Sequence, residues 1–422
     1  MDSKCKAVNL LAVGIDPSKD TLGVALIRYP EEVLFNDSIP NLPEAFADLD
    51  AMVCAAAGKM GLTPAYGLED TGRYGKALCD FLCARGRVVK EVNPILTHHQ
   101  RAFYGQDKSD GIDAKCVGVI LMRRFDRLPD REAGNAVFAA LKELSSFRHA
   151  QVKQRARLLN QLHHALEQTY LNVYQPFFSD LKHKTALAFF QRYPMPQSLK
   201  GVTPEALEQF LRDESRNRIK TRAAKILAAA AAVWDRPADR LTHATSLTAA
   251  LLCGQIARLN QDIADVEKNI AALVKETGIK LTSVNGIDVV RAGVILGQTG
   301  DPRRFPSKHA YAKYNGTAPC VYGTGRFQRH VSNRICNRTL RHELHQLALH
   351  MADHDPLSMD YVRLHMAEGK KSKGQAVNRL ARRISDVLYA MMLSKDKYDP
   401  QIATCNMERK RPKTDRRRAA SK

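Results

Sequence analysis

The chain opens with short apolar runs broken by turn residues. Leu10 to Ile15 is apolar and ends at Asp16, and Thr21 to Arg28 is a second apolar run beyond Pro17-Ser18-Lys19-Asp20. Two such runs about a turn-forming tetrapeptide predict a β-hairpin. Val33 to Ile39 adds a third strand. Leu42 to Met60 has helical spacing and stops near Gly61, Ala65 to Glu69 reads as a strand, and Tyr74 to Arg85 reads as a helix stopping at Gly86. Arg87 to Val92 predicts another strand, closed by Asn93-Pro94, and Asp110 to Phe125 another helix. Strands alternating with helices make residues 1–140 an α/β domain.

Beyond that point the period changes. Residues 141–279 are almost wholly helical in pattern, and Ile256, Leu259, Ile263, Val266, Ile270 and Leu273 alternate three and four residues apart with polar residues between. A period of about 3.5 is the coiled-coil signature. A seam this narrow suits a partner helix and predicts a homo-oligomer, dimer or tetramer; one long helix packed on its own domain is the alternative. Residues 280–395 form a third, mainly α region. In it, Leu281 to Gly300 is like a helix-hairpin-helix, whose turn offers backbone amides to a phosphate. Residues 301–340, rich in Gly, Pro, Arg and Asn, predict irregular loops, and Arg341 to Ala352 and Gly374 to Met392 predict helices. Residues 396–422 are a basic tail, with Arg409, Lys410, Arg411 and Lys413 among its cations, expected to hold nucleic acid without reading its sequence.

Charge narrows the function. Lys plus Arg is 65 and Asp plus Glu is 44, a net charge of +21 with a pI near 9.6. An excess of that size favours a polyanionic partner, because each cation near a phosphate releases a counterion. A membrane partner is not expected, since no apolar run approaches the ~20 residues a spanning helix needs. The apolar N-terminal stretch is interrupted by Asp16 and lacks a small-residue cleavage pattern, so the protein is expected in the cytoplasm, at the bacterial nucleoid. Nine irregularly spaced cysteines fit a reducing compartment. Cys79 and Cys83 lie one helical turn apart but lack the second pair that a zinc site needs.

Four acids carry candidate chemistry. Asp16 ends the first strand in VGID, Glu69 ends a later strand in YGLED, and Asp110 and Asp113 lie one turn apart on one face of a helix in DKSDGIDA. Brought to one sheet edge, they would repel one another unless cations sat among them. Hard oxygen ligands select Mg²⁺ or Mn²⁺, and two such ions serve both the attacking and the leaving oxygen of a phosphoryl transfer. The same residues also suit plainer roles: a turn for Asp16, a first helical turn for Glu69, and a helix cap with its neighbour for Asp110 and Asp113.

At these residues the chain resembles the DEDD transposases of the insertion-sequence one-ten family, relatives of the Piv DNA invertases. The blocks that carry the likeness are VGIDPSKDTLGVAL, GLEDTGRYGKALCDFLCARGRVVKEVNP, DKSDGIDAK and GTAPCVYGTGRFQRHVSNRICNRTLRHELHQLA. The resemblance implies a ribonuclease-H-like, RuvC-like N-terminal domain in which Asp16, Glu69, Asp110 and Asp113 match the four metal-binding acids. It implies a C-terminal transposase domain with a nucleophilic Ser, multimers that act on double-stranded donor and target DNA, and a structured guide RNA from the element. At the nucleophile the sequence departs from the family. Where relatives have Ser-Gly, Ala318-Pro319-Cys320-Val321-Tyr322-Gly323 leads to Thr324-Gly325. A threonine hydroxyl can attack phosphorus once activated, though its methyl crowds the approach. Ser332 is a nearby alternative hydroxyl, and a plain turn is the alternative for Thr324-Gly325.

Around that position sit Arg326, Arg329, His330, Arg334, Arg338 and Arg341, whose forks suit phosphate oxygens. Arg148, Lys153 and Arg155 on the first central helix could line a nucleic-acid path or simply form a solvated face. Tyr104 could stack on a base or pack as a ring. The resulting expectation is a DNA transposase that works through metal-dependent phosphoryl transfer and a covalent protein–DNA link. A RuvC-like nuclease using water, or a nucleic-acid-binding protein with a dead site, are the alternatives.

Overall fold

The computed structural model describes residues 9–69, 74–104, 109–130, 136–215, 222–233, 239–324, 327–367 and 372–400, apart from the side chains of Thr324, Gln328 and His330. Arg326 and the tail cations from Arg409 onward lie outside the described residues. The chain divides into two compact units. Residues 1–139, 279–287 and 298–422 form one, and 140–278 with 288–297 form the other.

In the first unit, β1 (Leu10–Pro17), β2 (Thr21–Arg28), β3 (Glu32–Pro40), β4 (Thr63–Leu68) and β5 (Val88–Glu91) build one sheet in the order β3-β2-β1-β4-β5. The first three strands are antiparallel, whereas β1-β4 and β4-β5 are parallel. Central β1 is buried on both faces, which its near-continuous apolar run requires. One face carries large side chains. Leu11, Val13, Ile15, Tyr66 and Leu68 pack against α1 (Pro43–Met60) and α2 (Lys76–Ala84). The other face carries small ones. Ala12, Ala25 and Ala65 meet Val117, Ile120 and Leu121 of α4 (Asp110–Arg124), with α3 (Pro94–Arg101) beside it. Small side chains let α4 approach the sheet closely, and that approach positions the candidate site. The sequence reading took Asn93-Pro94 as the end of a strand. It also starts α3, because the Asn93 side chain accepts from Ile95 N at 2.9 Å and Pro94 sits in the first turn.

The second unit is helical, made of most of α5 (Ala136–Tyr170), then α6 (Lys184–Arg192), α7 (Pro204–Ser215), α8 (Ala223–Ala231), α9 (Arg240–Glu276) and most of α10 (Val289–Thr299). Ile256, Leu259, Ile263 and Ile270 on α9 are already buried by their own chain. Arg148 Nη2 pairs with Glu267 at 2.6 Å, Arg155 Nη1 donates to Asn260 Oδ1 at 2.9 Å, and Thr245 Oγ1 donates to Gln168 at 3.4 Å. Numbers rise on α5 as they fall on α9, so the two helices run antiparallel. Two positions of the stripe, Val266 and Leu273, stay half-buried.

Returning to the first unit, residues 301–340 are not the irregular loops expected. They hold α11 (Lys308–Tyr314), capped by the Ser307 side chain, and a hairpin of β6 (Cys320–Thr324) and β7 (Phe327–Val331). Val321, Tyr322 and Phe327 on the hairpin are exposed, so no buried face betrayed the strands. Helices α12 (Arg338–His354), α13 (Pro356–Ala367) and α14 (Lys373–Ser394) follow. Among the described residues, no helix is long and apolar enough to cross a membrane.

Candidate active site

Strand register brings the first two acids level. Ile15 of β1 pairs with Leu68 of parallel β4, and Glu69 N donates to Ile15 O at 3.4 Å. Asp16 and Glu69 therefore leave neighbouring strands side by side. Their direction follows from glycines two residues earlier. A Cβ at Gly14 would lie 2.1 Å from Ala114 O, and one at Gly67 would lie 3.3 Å from Leu121 and Val117, so both positions face α4. Strand side chains alternate, so Asp16 takes the face of Gly14, and Glu69, just past the strand end, continues the face of Gly67.

Helix α4 supplies the other two. Asp16 pairs across the sheet with Gly23, and a Cβ at Gly23 would lie 2.8 Å from Asp110 O. The first turn of α4 thus stands directly over the strand ends. The Ser109 side chain caps the turn by accepting from Ile112 N at 3.3 Å, and Asp110 and Asp113 sit where the helix dipole favours negative charge. The field of the group is felt at Cys116. Burial first, then the negative charge of Asp113 and, more weakly, of Glu69, pushes its thiol up to about 11.

The four acids differ in setting. Asp110 is exposed, Asp16 and Glu69 are half-buried, and Asp113 is 3 % exposed. Arg101 at the end of α3 places Nε 2.6 Å from Asp113 Oδ1. That contact is an ion pair without hydrogen-bond alignment, so a buried carboxylate oxygen stays without an aligned donor. Such an oxygen fits a cation ligand. As the side chains stand, no three His, Cys, Asp or Glu among the described residues are gathered closely enough to hold an ion. Backbone placement therefore brings the four to one edge without closing them into a coordination shell.

The close approach makes a test. Gly14→Ala would press a methyl against the backbone of Ala114 and Gly118, the latter at 2.3 Å, so β1 and α4 must separate. We expect a loss of about 1–3 kcal/mol in stability, from overpacking against atoms that cannot turn aside. Gly58→Ala, where a Cβ on α1 meets nothing, is expected to be neutral or stabilising by about 0.5–1 kcal/mol. Thermal denaturation of both variants checks the pair; a Gly14→Ala protein as stable as the parent would refute the contact.

Other candidates are placed less favourably or elsewhere. Arg148 and Arg155 spend their forks on Glu267 and Asn260, which leaves Lys153 as the exposed cation of that set. Tyr104 packs as a ring under Lys115 Nζ, 4.3 Å from its centroid. The backbone of Thr324 closes β6 opposite Phe327, while its side chain lies outside the described residues. Arg329 is exposed, 5.3 Å from the Tyr322 ring centroid. Arg334 and Arg338 are exposed, and Arg341 donates to Ser332 Oγ at 2.6 Å and to Asn333 O at 3.2 Å. The sequence reading missed Arg101, which nothing in its neighbourhood marked, and it missed the glycines. Those did carry a signal: Gly14-Ile15-Asp16 and Gly67-Leu68-Glu69 share one spacing, and a glycine inside a strand marks a close approach.

Comparison with known proteins places the chain in a family. A DEDD-type transposase family model matches residues 13–171, and the model of the transposase IS116/IS110/IS902 family matches residues 279–363. The chain is 27% identical over 400 residues to an uncharacterized 42 kDa protein of insertion element IS900 from Mycobacterium paratuberculosis, covering 93% of this chain and 98% of that one. It is 24% identical over 309 residues to an uncharacterized 43.6 kDa protein of insertion element IS110 from Streptomyces coelicolor, covering 71% of this chain and 74% of that one. The two family models between them span more than half of the sequence, one over the sheet and its acids and the other over the hairpin and α12, and the chain belongs to the IS110 family of transposases.

Proposed function

We propose that the protein cuts and rejoins DNA by metal-dependent phosphoryl transfer through a covalent protein–DNA link. The observation that carries this reading is the common sheet edge of Asp16, Glu69, Asp110 and Asp113, set by strand register and by glycines under α4. These four carboxylates would hold Mg²⁺ or Mn²⁺, since all are hard oxygen donors. Bound there, a divalent cation neutralises charge on the attacking and leaving oxygens. Arg101 already stands as the counter-charge at Asp113, so filling the site means displacing its guanidinium.

The attacking group is the Thr324 hydroxyl. Its oxygen bonds to phosphorus, the bond from phosphorus to one DNA ester oxygen breaks, and that oxygen leaves with a proton. The hydroxyl proton passes to a carboxylate or to water. The new phosphoester keeps the bond energy, so a second DNA hydroxyl can displace the threonine and rejoin the strands. Arg329, Arg334, Arg338 and Arg341 would carry phosphate charge near this loop. A structured guide RNA for target choice and action as a homo-oligomer remain parts of the proposal, supported by family membership.

The test is to incubate the protein with DNA spanning its own element's junction and Mg²⁺, denature, and look for protein that stays attached. Attachment is expected, lost in Thr324→Ala and kept or raised in Thr324→Ser. Free DNA ends with no attached protein would replace the hydroxyl with water as nucleophile. Attachment surviving in Thr324→Ala would move the role to Ser332, whose oxygen Arg341 holds at 2.6 Å.

A further inference from the structure

A cleft of about 1070 Å³ lies in the C-terminal part of the first unit, and none of the four acids lines it. Arg334, Arg338, Arg341, Arg379 and Arg382 line it, and among the described residues no Asp or Glu does. Arg338 and Arg341 lie one turn apart on α12, and Arg379 and Arg382 one turn apart on the neighbouring α14. Residues at that spacing share a helix face. His342 and His345 of α12 and His365 of α13 also line the cleft.

The lining is held in place. Buried Asn333 donates to Lys313 O at 2.9 Å and accepts from Ile335 N at 3.0 Å, which fixes the segment that carries Arg334. Buried Asn315 donates to Ser385 Oγ of α14 at 2.7 Å and accepts from Thr317 N at 3.1 Å, which fixes the opposite rim. Arg379 reaches His365 Nδ1 at 3.3 Å, and Arg382 reaches His309 Nδ1 at 3.1 Å as well as Asp386. Asp386 is the one carboxylate that the described contacts give to these five arginines. So much like charge on a fixed frame is costly until a polyanion enters.

We propose that this cleft is a backbone-binding channel for nucleic acid, in which Arg379 and Arg382 of α14 face Arg338 and Arg341 of α12 across the phosphodiester chain. A single phosphate would need one fork and far less room. Paired forks on two helices suit successive phosphates and contribute no base reading. The inference rests on the recombinase reading only in taking nucleic acid as the polyanion, and it assigns α14 a role that the loop arginines do not cover.

The experiment measures binding, not cutting, by fluorescence anisotropy of a labelled duplex DNA and of a folded RNA with the full chain. Arg379→Gln with Arg382→Gln is expected to weaken at least one of them ~10-fold and to lower the salt slope by about 1–2, as loss of two phosphate contacts requires. Which polymer loses affinity identifies the occupant. A control removes two exposed cations that do not line the cleft, Arg363→Gln with Lys373→Gln. Unchanged affinity in the first variant, or an equal loss in the control, overturns the channel. If the glutamine variant does not fold, Arg379→Lys with Arg382→Lys keeps the charge but removes the forks; a loss of about 3-fold or more is then expected, and none overturns it. A chain that binds through the cleft yet never links to DNA would support the channel while sinking the covalent reading.

Discussion

Asp16→Asn is expected to lower metal-dependent strand cleavage by about a thousandfold or more, which is about 4 kcal/mol of transition-state stabilisation. Asp16 sits at the end of the central strand, level with Glu69 and opposite the glycine that lets Asp110 close over it. Asparagine keeps the shape and one oxygen but removes the charge that a hard cation needs. Folding should not suffer, because asparagine keeps the side-chain shape at a half-buried strand end. Nucleic-acid binding should also hold, since the arginines proposed to carry it lie elsewhere. Single-turnover cleavage with Mg²⁺, alongside thermal denaturation and DNA binding, gives the three readouts. Cleavage within tenfold of the parent would remove the carboxylate edge from the chemistry.

Asp50→Ala is expected to cost about 3 kcal/mol of stability in the sheet domain. Asp50 lies on α1 and is 1 % exposed. Its Oδ1 accepts from Tyr66 Oη at 2.7 Å and Arg87 Nε at 2.8 Å, and its Oδ2 accepts from Arg87 Nη2 at 2.9 Å and Arg85 Nη1 at 3.3 Å. Truncation leaves the buried Tyr66 hydroxyl and a guanidinium without partners, and breaking a buried pair from one side costs about 3–5 kcal/mol. The low end applies because Arg85 and Arg87 keep part of their surface in water. Burial by itself pushes the Asp50 carboxyl up. Hydrogen bonds from Arg87, Tyr66 and Arg85 outweigh it and hold the group below its ordinary range.

The sign of the pH dependence follows from that depressed value. In the unfolded chain the carboxyl titrates near 3.9. The stabilisation is complete above that value and fades as pH falls through the lower folded one, so the contribution is flat at neutral pH and lost in acid. Two units need not unfold together, so the measurement is hydrogen exchange on β4 and α1 rather than one melting point. Protection unchanged in Asp50→Ala, or lost on raising pH instead of lowering it, would count against the network.

Much of the first unit is legible in the sequence because its elements obey local rules. β1 and β2 are apolar runs about a turn tetrapeptide, and α4 has its cap at Ser109 and its acids in the first turn. The hairpin of β6 and β7 was not readable, since it presents Val321, Tyr322 and Phe327 to solvent and lacks the one-sided burial that alternation detects. The α9 stripe was readable as a stripe, and its buried positions are covered from several helices of the same chain. An apolar period states that something must cover it and is silent about what.

Residue order alone was enough to set which acids end strands, which begin a helix, and how far the net charge leans toward phosphate. Each of these depends on near neighbours or on composition. Whether the acids meet was a matter of packing: the β1-β4 register levels Asp16 with Glu69, and the missing side chains at Gly14, Gly23 and Gly67 let α4 lie close enough to bring Asp110 and Asp113 over them. Packing also placed Arg101 on Asp113 and put arginines of α14 and of α12 on one cleft. Such meetings join residues far apart in the chain, and no local period or cap encodes the distance between two elements.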